Sequence, residues 1–329
     1  MRPISNPMEA CRLCPRACGV DRTAGQRGVC GQSGNIKAAR AALHMWEEPC
    51  ISGRNGSGAV FFSGCGLQCV FCQNHAIASG KAGREISVER LGEIFLKLQA
   101  AGANNINLVT ACQFVPQVIE ALQAAKRKGL GLPVVYNSSG YESVETIRML
   151  DGYVDVYLPD LKYMDRERSN RYSHAPDYFE TASAAIDEMV RQVGEMAFTD
   201  EATGTQRLDT AAYQKRSGQG ESLVMTRGVI VRHLLLPGGL EDSKRIISWL
   251  LDTYGDRIFI SMMNQYTPVS TNFTHPELNG KVDESEYEAL ISHALAQGIE
   301  NGFIQEGETA GESFIPAFDG TGIDKEDTI

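Results

Sequence analysis

The stretch Ala59-Val60-Phe61-Phe62-Ser63-Gly64-Cys65-Gly66-Leu67-Gln68-Cys69-Val70-Phe71-Cys72-Gln73-Asn74 decides how this chain is read. A short apolar run, Ala59–Phe62, has the composition of a buried strand and leads straight into a loop with C-x3-C-x2-C spacing. Three thiolates in such a loop can bind three irons of a cuboidal cluster. A cluster of that kind normally takes four cysteines, so one iron stays open to an exogenous ligand. Catalytic zinc sites keep an open position by the same logic. Gly64 and Gly66 let the backbone fold closely round an inorganic core. Val70 and Phe71 are apolar, shield the core from water and can wall a bound ligand. The competing readings are a structural zinc loop and a ferredoxin-type loop completed by a distant fourth cysteine.

Beyond this loop, short apolar runs alternate with amphipathic helical stretches, the pattern of βα units on a parallel sheet. Strands are expected at Ala59–Phe62, Ile106–Thr110, Val134–Asn137, Val154–Leu158, Val229–Leu236 and Phe259–Met263, with a weaker one at Phe303–Gln305. Ser87 can cap a helix over Val88–Ala100, whose Leu91, Ile94, Phe95 and Leu98 share one face. Pro116 opens another to Lys128, Ser143 caps a third to Leu150, and three more fall at Asp177–Val193, Glu241–Tyr254 and Glu284–Gln297. These repeats fit an α/β fold, a partial (βα)6-type TIM barrel with an N-terminal cysteine-rich cap, whose ligand face is the C-terminal end of the strands. A doubly wound sheet is the competing architecture. The expected organisation is a metal-binding cap over 1–57 and the barrel over 58–318. A polar surface insertion at 199–222 and a loosely held polar tail at 319–329 complete it.

The formal net charge of −10 over 329 residues argues against a nucleic-acid partner, which needs clustered Lys and Arg. No apolar run is long enough to span a bilayer, and Met1–Ala10 lacks the apolar stretch of a signal peptide, so a cytoplasmic protein is expected. Eight of the nine cysteines precede residue 73, with Cys112 alone afterwards. A disulfide framework would spread them along the chain, whereas crowding near one end reads as metal ligation. Cys11, Cys14, Cys18 and Cys30 form C-x2-C-x3-C-x11-C, interleaved with Arg12, Arg16, Arg22 and Arg27. Four thiolates this close can ligate zinc or a second iron–sulfur cluster, and spacing does not separate the two. Cys50 reads as a buried thiol or an alternative ligand, and Cys112 as a small buried residue or a reactive thiol at the cavity edge.

The cysteine loop resembles that of the radical S-adenosylmethionine (SAM) superfamily, including the aromatic Phe71 before the third cysteine. Further stretches resemble one branch, the iron–sulfur proteins related to the pyruvate formate-lyase activating enzyme. They are Cys11–Arg22, Glu47–Gly53, Tyr136–Glu142, Tyr157–Asp165, Arg232–Gly238 and Met263–Pro268. The resemblance implies an enzyme, a radical SAM oxidoreductase in which Cys65, Cys69 and Cys72 hold a 4Fe–4S cluster and SAM chelates the open iron. A 5′-deoxyadenosyl radical then abstracts hydrogen from substrate. It further implies a glycyl-radical enzyme as partner and a flavodoxin- or ferredoxin-type reductant. The altered second-strand motif and the cap favour a small molecule or peptide as substrate instead, and a non-catalytic electron-transfer protein is the third reading. By the same resemblance, Asp160 and Lys162 hold SAM after the fourth strand, with Phe71, Thr110, Asn137, Ser138 and Arg232 around it. Arg232 and His233 are neighbours in a strand and must face opposite sides. Gln265 and Tyr266 are expected near the substrate mouth. One departure stands out. Where activating enzymes carry Gly-Gly-Glu after the second strand, this chain has Val109-Thr110-Ala111-Cys112-Gln113, with no carboxylate.

Overall fold

The computed structural model describes residues 6–206, 208–217, 223–268, 274–305 and 316–324. In chain order the strands are β1 (Ile36–His44), β2 (Ser57–Phe62), β3 (Arg84–Ile86), β4 (Ile106–Val109), β5 (Val134–Ser138), β6 (Val156–Pro159), β7 (Ala197–Asp200), β8 (Leu223–Leu234), β9 (Phe259–Met263) and β10 (Gly302–Ile304). The helices are α1 (Pro49–Ser52), α2 (His75–Ala78), α3 (Val88–Ala100), α4 (Val115–Arg127), α5 (Val144–Met149), α6 (Arg166–Ser173), α7 (Tyr178–Val193), α8 (Thr210–Ser217), α9 (Leu240–Tyr254) and α10 (Glu284–Ala296). Strands β2, β4, β5, β6, β8, β9 and β10 pair in parallel in that order. Helical crossovers fall between successive members. Among the described residues no pairing joins β10 back to β2, so the barrel is open. Among them, too, no helix is long and apolar enough to cross a membrane.

Local chemistry explains why the helices begin where they do. Ser87 accepts from the Arg90 amide at 3.1 Å and Ser143 from the Thr146 amide at 3.3 Å, each satisfying an otherwise orphaned first-turn donor. Strand alternation then sorts the side chains. Val134, Tyr136, Tyr157, Val229 and Val231 join the core beneath the helices, while Val135, Val156, Leu158, Ile230 and Phe259 form a separate inner cluster.

The floor of that inner cluster differs from the expected cap. Ile36–His44 is an edge strand, β1, antiparallel to β2, with His44 opposite Ser57. Its alanines carry little β-propensity, so pairing with β2 imposes the extended form. Because β1 runs against β2, it ends where the parallel strands begin. The chain then turns inward, and Cys50 and Ile51 of α1 fill the barrel floor against Val135, Val156 and Ile230. Residues 36–57 therefore belong to the barrel sheet and its plug, and the cap proper ends near Asn35.

The stretch expected as a surface insertion also reaches the floor. Tyr213 of α8 stacks on Phe198 of β7 at 4.6 Å and meets Phe259 edge-on at 5.5 Å. The expected loose tail is docked as far as Asp324: Gly320 donates to Ala39 O, Thr321 O accepts from Ala41, and Ile323 is buried. Residues 325–329 lie outside the described residues.

Candidate functional site

All the parallel strands point their C-terminal ends the same way, so the loops after β2, β4, β5 and β6 share one face. The loop after β2 carries Cys65, Cys69 and Cys72, all reduced and half-buried. It is held from several sides. Gly64 donates to Ile77 O at 2.8 Å and Val70 to Tyr172 O at 2.9 Å. Phe71 is buried among the edges of Tyr163, Tyr172 and Tyr266, with ring centroids 6.3 to 6.5 Å away. Tyr266 closes the cage by donating to Leu278 O.

Burial pushes all three thiols up, Cys69 to about 11 and Cys72 to about 12, and Cys69 and Cys65 raise Cys72 further. The Lys162 ammonium pulls each of them back down. Neutral thiols must lose their protons to become ligands, so metal loading here releases protons. Among the described residues no three Cys, His, Asp or Glu side chains stand close enough to share a single metal ion. Three thiols on one loop can each bind their own iron of a cuboidal cluster.

Below the loop runs a continuous buried polar chain. Lys162 Nζ lies 2.5 Å from Asp160 Oδ2, and Arg232 Nε lies 2.9 Å from Asp160 Oδ1. Arg232 also donates to Asn137 Oδ1 at 2.6 Å and reaches Glu47 Oε2 at 3.4 Å. Glu47 Oε1 accepts from Asn107 at 3.0 Å and from Asn137 at 3.2 Å. Burial pushes the Asp160 carboxyl up, but Arg232 and Lys162 outweigh it and hold it below the usual range. Burial wins at Glu47 and Glu48, whose carboxyls are raised despite Arg232. Thus Asn137, Asp160, Lys162 and Arg232 come together, with Glu47 as a member that no strand-end pattern announces. His233 faces the other way and bridges Leu161 O and Ser243 Oγ, a packing role. Gln265 accepts through its carbonyl from Gln73 of the cysteine loop at 2.7 Å.

Thr110 lies just past β4 at φ 59°, a left-handed conformation that a β-branched residue rarely adopts. Its amide donates to Asn137 O, and its carbonyl accepts from Gln113 Nε2 at 2.8 Å. An acidic side chain, absent beside Thr110 in the sequence, stands in the next loop. Glu142 lines the same cavity as Thr110 and Cys65. Its Oε2 accepts from Ser138 Oγ at 3.1 Å, so Ser138 supports Glu142.

Burial pushes Glu142 up to about 8. The unfolded chain releases this proton near its ordinary value of about 4.3, so between these values the native state holds a proton that the unfolded state has lost. Stability is therefore expected to fall as pH rises through that window. Glu142→Gln should flatten the decline, which thermal melts of the metal-free protein at several pH values would read. An unchanged slope would count against this burial.

The turn before Glu142 is equally constrained. Gly140 has φ 76°, and a β-carbon there would sit 2.2 Å from Asp160 O. Gly140→Ala is expected to cost about 2 kcal/mol or more from backbone strain and overpacking. Equilibrium urea unfolding checks this, and a cost near zero would contradict the close approach.

Residues 59–203 match the family model of the Radical SAM superfamily. The matched stretch runs from β2 to β7 and holds the cysteine loop. Proteins of that superfamily use a 4Fe–4S cluster and SAM, and Cys65, Cys69 and Cys72, in the loop after the first parallel strand, fit the cluster's donor set. The chain is 25% identical over 296 residues to the uncharacterized protein MJ0674 of Methanocaldococcus jannaschii, covering 88% of this chain and 75% of that one. Solved structures similar to this chain include a radical SAM methyltransferase from Sphaerobacter thermophilus, 14% identical with TM-score 0.42, covering 76% of this chain and 66% of that one. Another is Streptococcus suis SuiB bound to S-adenosylmethionine, 10% identical with TM-score 0.43, covering 74% and 48%. A third is anSMEcpe with bound AdoMet, 12% identical with TM-score 0.44, covering 71% and 57%. The chain spans between about half and two thirds of the length of these structures.

Proposed function

We propose that this radical SAM enzyme acts on a small, donor-rich polar molecule bound in the barrel lumen. When bound, the reduced cluster and SAM supply a 5′-deoxyadenosyl radical that abstracts hydrogen from substrate. The chain's own residues divide the remaining work. Lys162, the cation whose field acts on all three cysteines, is suited to the methionyl carboxylate. Asp160, ionised and fixed between Lys162 and Arg232, offers acceptors to a ribose or an amino group. Phe71 and its aromatic cage exclude water from the cluster side. Arg232 spends all three nitrogens on Asp160, Asn137 and Glu47, which makes it a positioning residue.

The observation that carries the substrate reading lies deeper. Glu48 Oε2 and Asn107 Oδ1 are buried without a hydrogen-bond donor among the described residues. Leaving such acceptors unsatisfied costs about 1–3 kcal/mol each. A ligand bearing hydroxyl groups, which both donate and accept, would satisfy Asn107 and a Glu48 carboxyl raised by burial, whereas an apolar ligand would not.

The test uses deuterated cell extract separated by size into small molecules and proteins. Each fraction is incubated anaerobically with reconstituted enzyme, dithionite and unlabelled SAM. Deuterium in 5′-deoxyadenosine from the small-molecule fraction alone supports the proposal. Transfer only from the protein fraction, with a glycyl EPR doublet, would overturn it in favour of activation of a protein.

A further inference from the structure

The four cap cysteines have no part in the site described so far, yet they face it. Cys11 and Cys30 are buried, Cys14 and Cys18 half-buried, and all four line one cavity together with Cys65, Gly66 and Cys112. The cap is bolted to the cluster loop. Arg16 donates to Gly66 O at 2.8 Å, to Leu67 O at 3.4 Å and to Ser173 O at 2.7 Å. A β-carbon on Gly64 would lie 2.5 Å from Cys30 O, and one on Gly66 would lie 3.0 Å from Cys14 Sγ. Glycine at both places is what lets the two loops touch. Cys14 Sγ thus stands in van der Waals contact with the residue next to Cys65.

Two observations identify what the cap cysteines hold. Arg22 is only 1% exposed and forms no ion pair with a carboxylate among the described residues. Its guanidinium is held by Ser33 O at 2.6 Å and Gln113 O at 2.5 Å, and Nη1 lies 3.8 Å from Cys11 Sγ. A buried cation without a counter-charge is costly, and a thiolate-ligated metal centre is a net anion that supplies one. The second observation concerns place. The four thiols share one cavity with Cys65 of the neighbouring cluster loop, where a redox-active cluster can exchange an electron and a redox-inert zinc ion cannot. The Val29 amide, donating to Cys18 Sγ at 3.3 Å, is the kind of contact that tunes a cluster sulfur.

We infer that Cys11, Cys14, Cys18 and Cys30 hold a second 4Fe–4S cluster, with Arg22 as its buried counter-charge, which passes an electron to the radical cluster across the Cys14–Gly66 contact. The transfer oxidises the cap cluster by one electron and reduces the radical cluster by one. No bond forms or breaks, and a low-potential one-electron donor re-reduces the cap. The inference takes from the preceding reading only that Cys65, Cys69 and Cys72 bind the neighbouring cluster.

The experiment compares anaerobically reconstituted wild type with Cys14→Ser/Cys18→Ser and with Cys65→Ser/Cys69→Ser/Cys72→Ser, by iron, sulfide and zinc analysis and by EPR after dithionite. About eight irons are expected in wild type and about four in each variant, without stoichiometric zinc. Two reduced signals broadened by mutual spin interaction are expected in wild type, and a single unbroadened one in the triple variant. Stoichiometric zinc, or a triple variant devoid of iron, would overturn the cluster. An unbroadened sum of two signals would overturn the contact. The triple variant leaves the cap intact, so its iron content decides the matter even if the cap variant misfolds. It is read without SAM, so it stands apart from any failure of SAM cleavage.

Discussion

Replacing Cys69 by alanine is expected to abolish reductive SAM cleavage and to remove most of the radical cluster's iron. The loop offers one thiol per iron to three irons, and the other cysteines lie in the cap, against the cap or in the barrel floor. Cys50 is buried in the barrel floor with α1, away from the strand ends, and Cys112 donates to Leu13 O on the cap side. The loss should therefore be nearly complete, with 5′-deoxyadenosine at the level of a no-enzyme control. Cys50→Ala supplies the comparison and should keep full iron and full cleavage. Iron analysis with chromatographic detection of 5′-deoxyadenosine checks both. Full iron in Cys69→Ala would mean that another side chain completes the cluster.

The second large effect is on stability. Arg232 is 15% exposed at its side chain and is the only described cation within ion-pair distance of both Asp160 and Glu47. Arg232→Met removes it and leaves two buried carboxyls around an apolar side chain. Removing one partner of a buried ion pair costs about 3–5 kcal/mol, because the remaining charge is uncompensated. Urea unfolding of the metal-free protein should show a loss of that size. Adding Glu47→Gln to the same chain should recover part of it, since Asp160 keeps Lys162 as its counter-charge and Glu47 is the carboxyl left without one. A loss below about 1 kcal/mol, the range of exposed pairs, would contradict the buried network.

How much of this was legible in the residues depends on which physical signal placed each one. The cysteine loop, the strand from Phe259 to Met263 and the capped helices at Ser87 and Ser143 could be read directly, because spacing, apolar runs and cap chemistry are local. The opposite facing of Arg232 and His233 followed from strand periodicity, and each side chain has a partner suited to its side. Glu47 could not be found this way. It reaches the lumen because β1 runs back antiparallel to β2 and the chain then turns inward, a consequence of tertiary pairing that an alanine-rich strand does not advertise. Glu142 was hidden for a related reason. The expected acid was sought beside Thr110, and the fold supplies one from the loop after β5. The floor contacts of Tyr213 likewise arise from a short polar helix whose composition alone reads as surface.

The most direct test of the account is the EPR spectrum of the Cys14→Ser/Cys18→Ser protein, reduced by dithionite and recorded with and without SAM. That variant isolates the cluster assigned to Cys65, Cys69 and Cys72, whose open iron should accept the cofactor. The account predicts a single reduced-cluster signal that changes shape on adding SAM, together with 5′-deoxyadenosine formation. A signal indifferent to SAM, with no cleavage, would contradict it and leave a fully ligated electron carrier in its place.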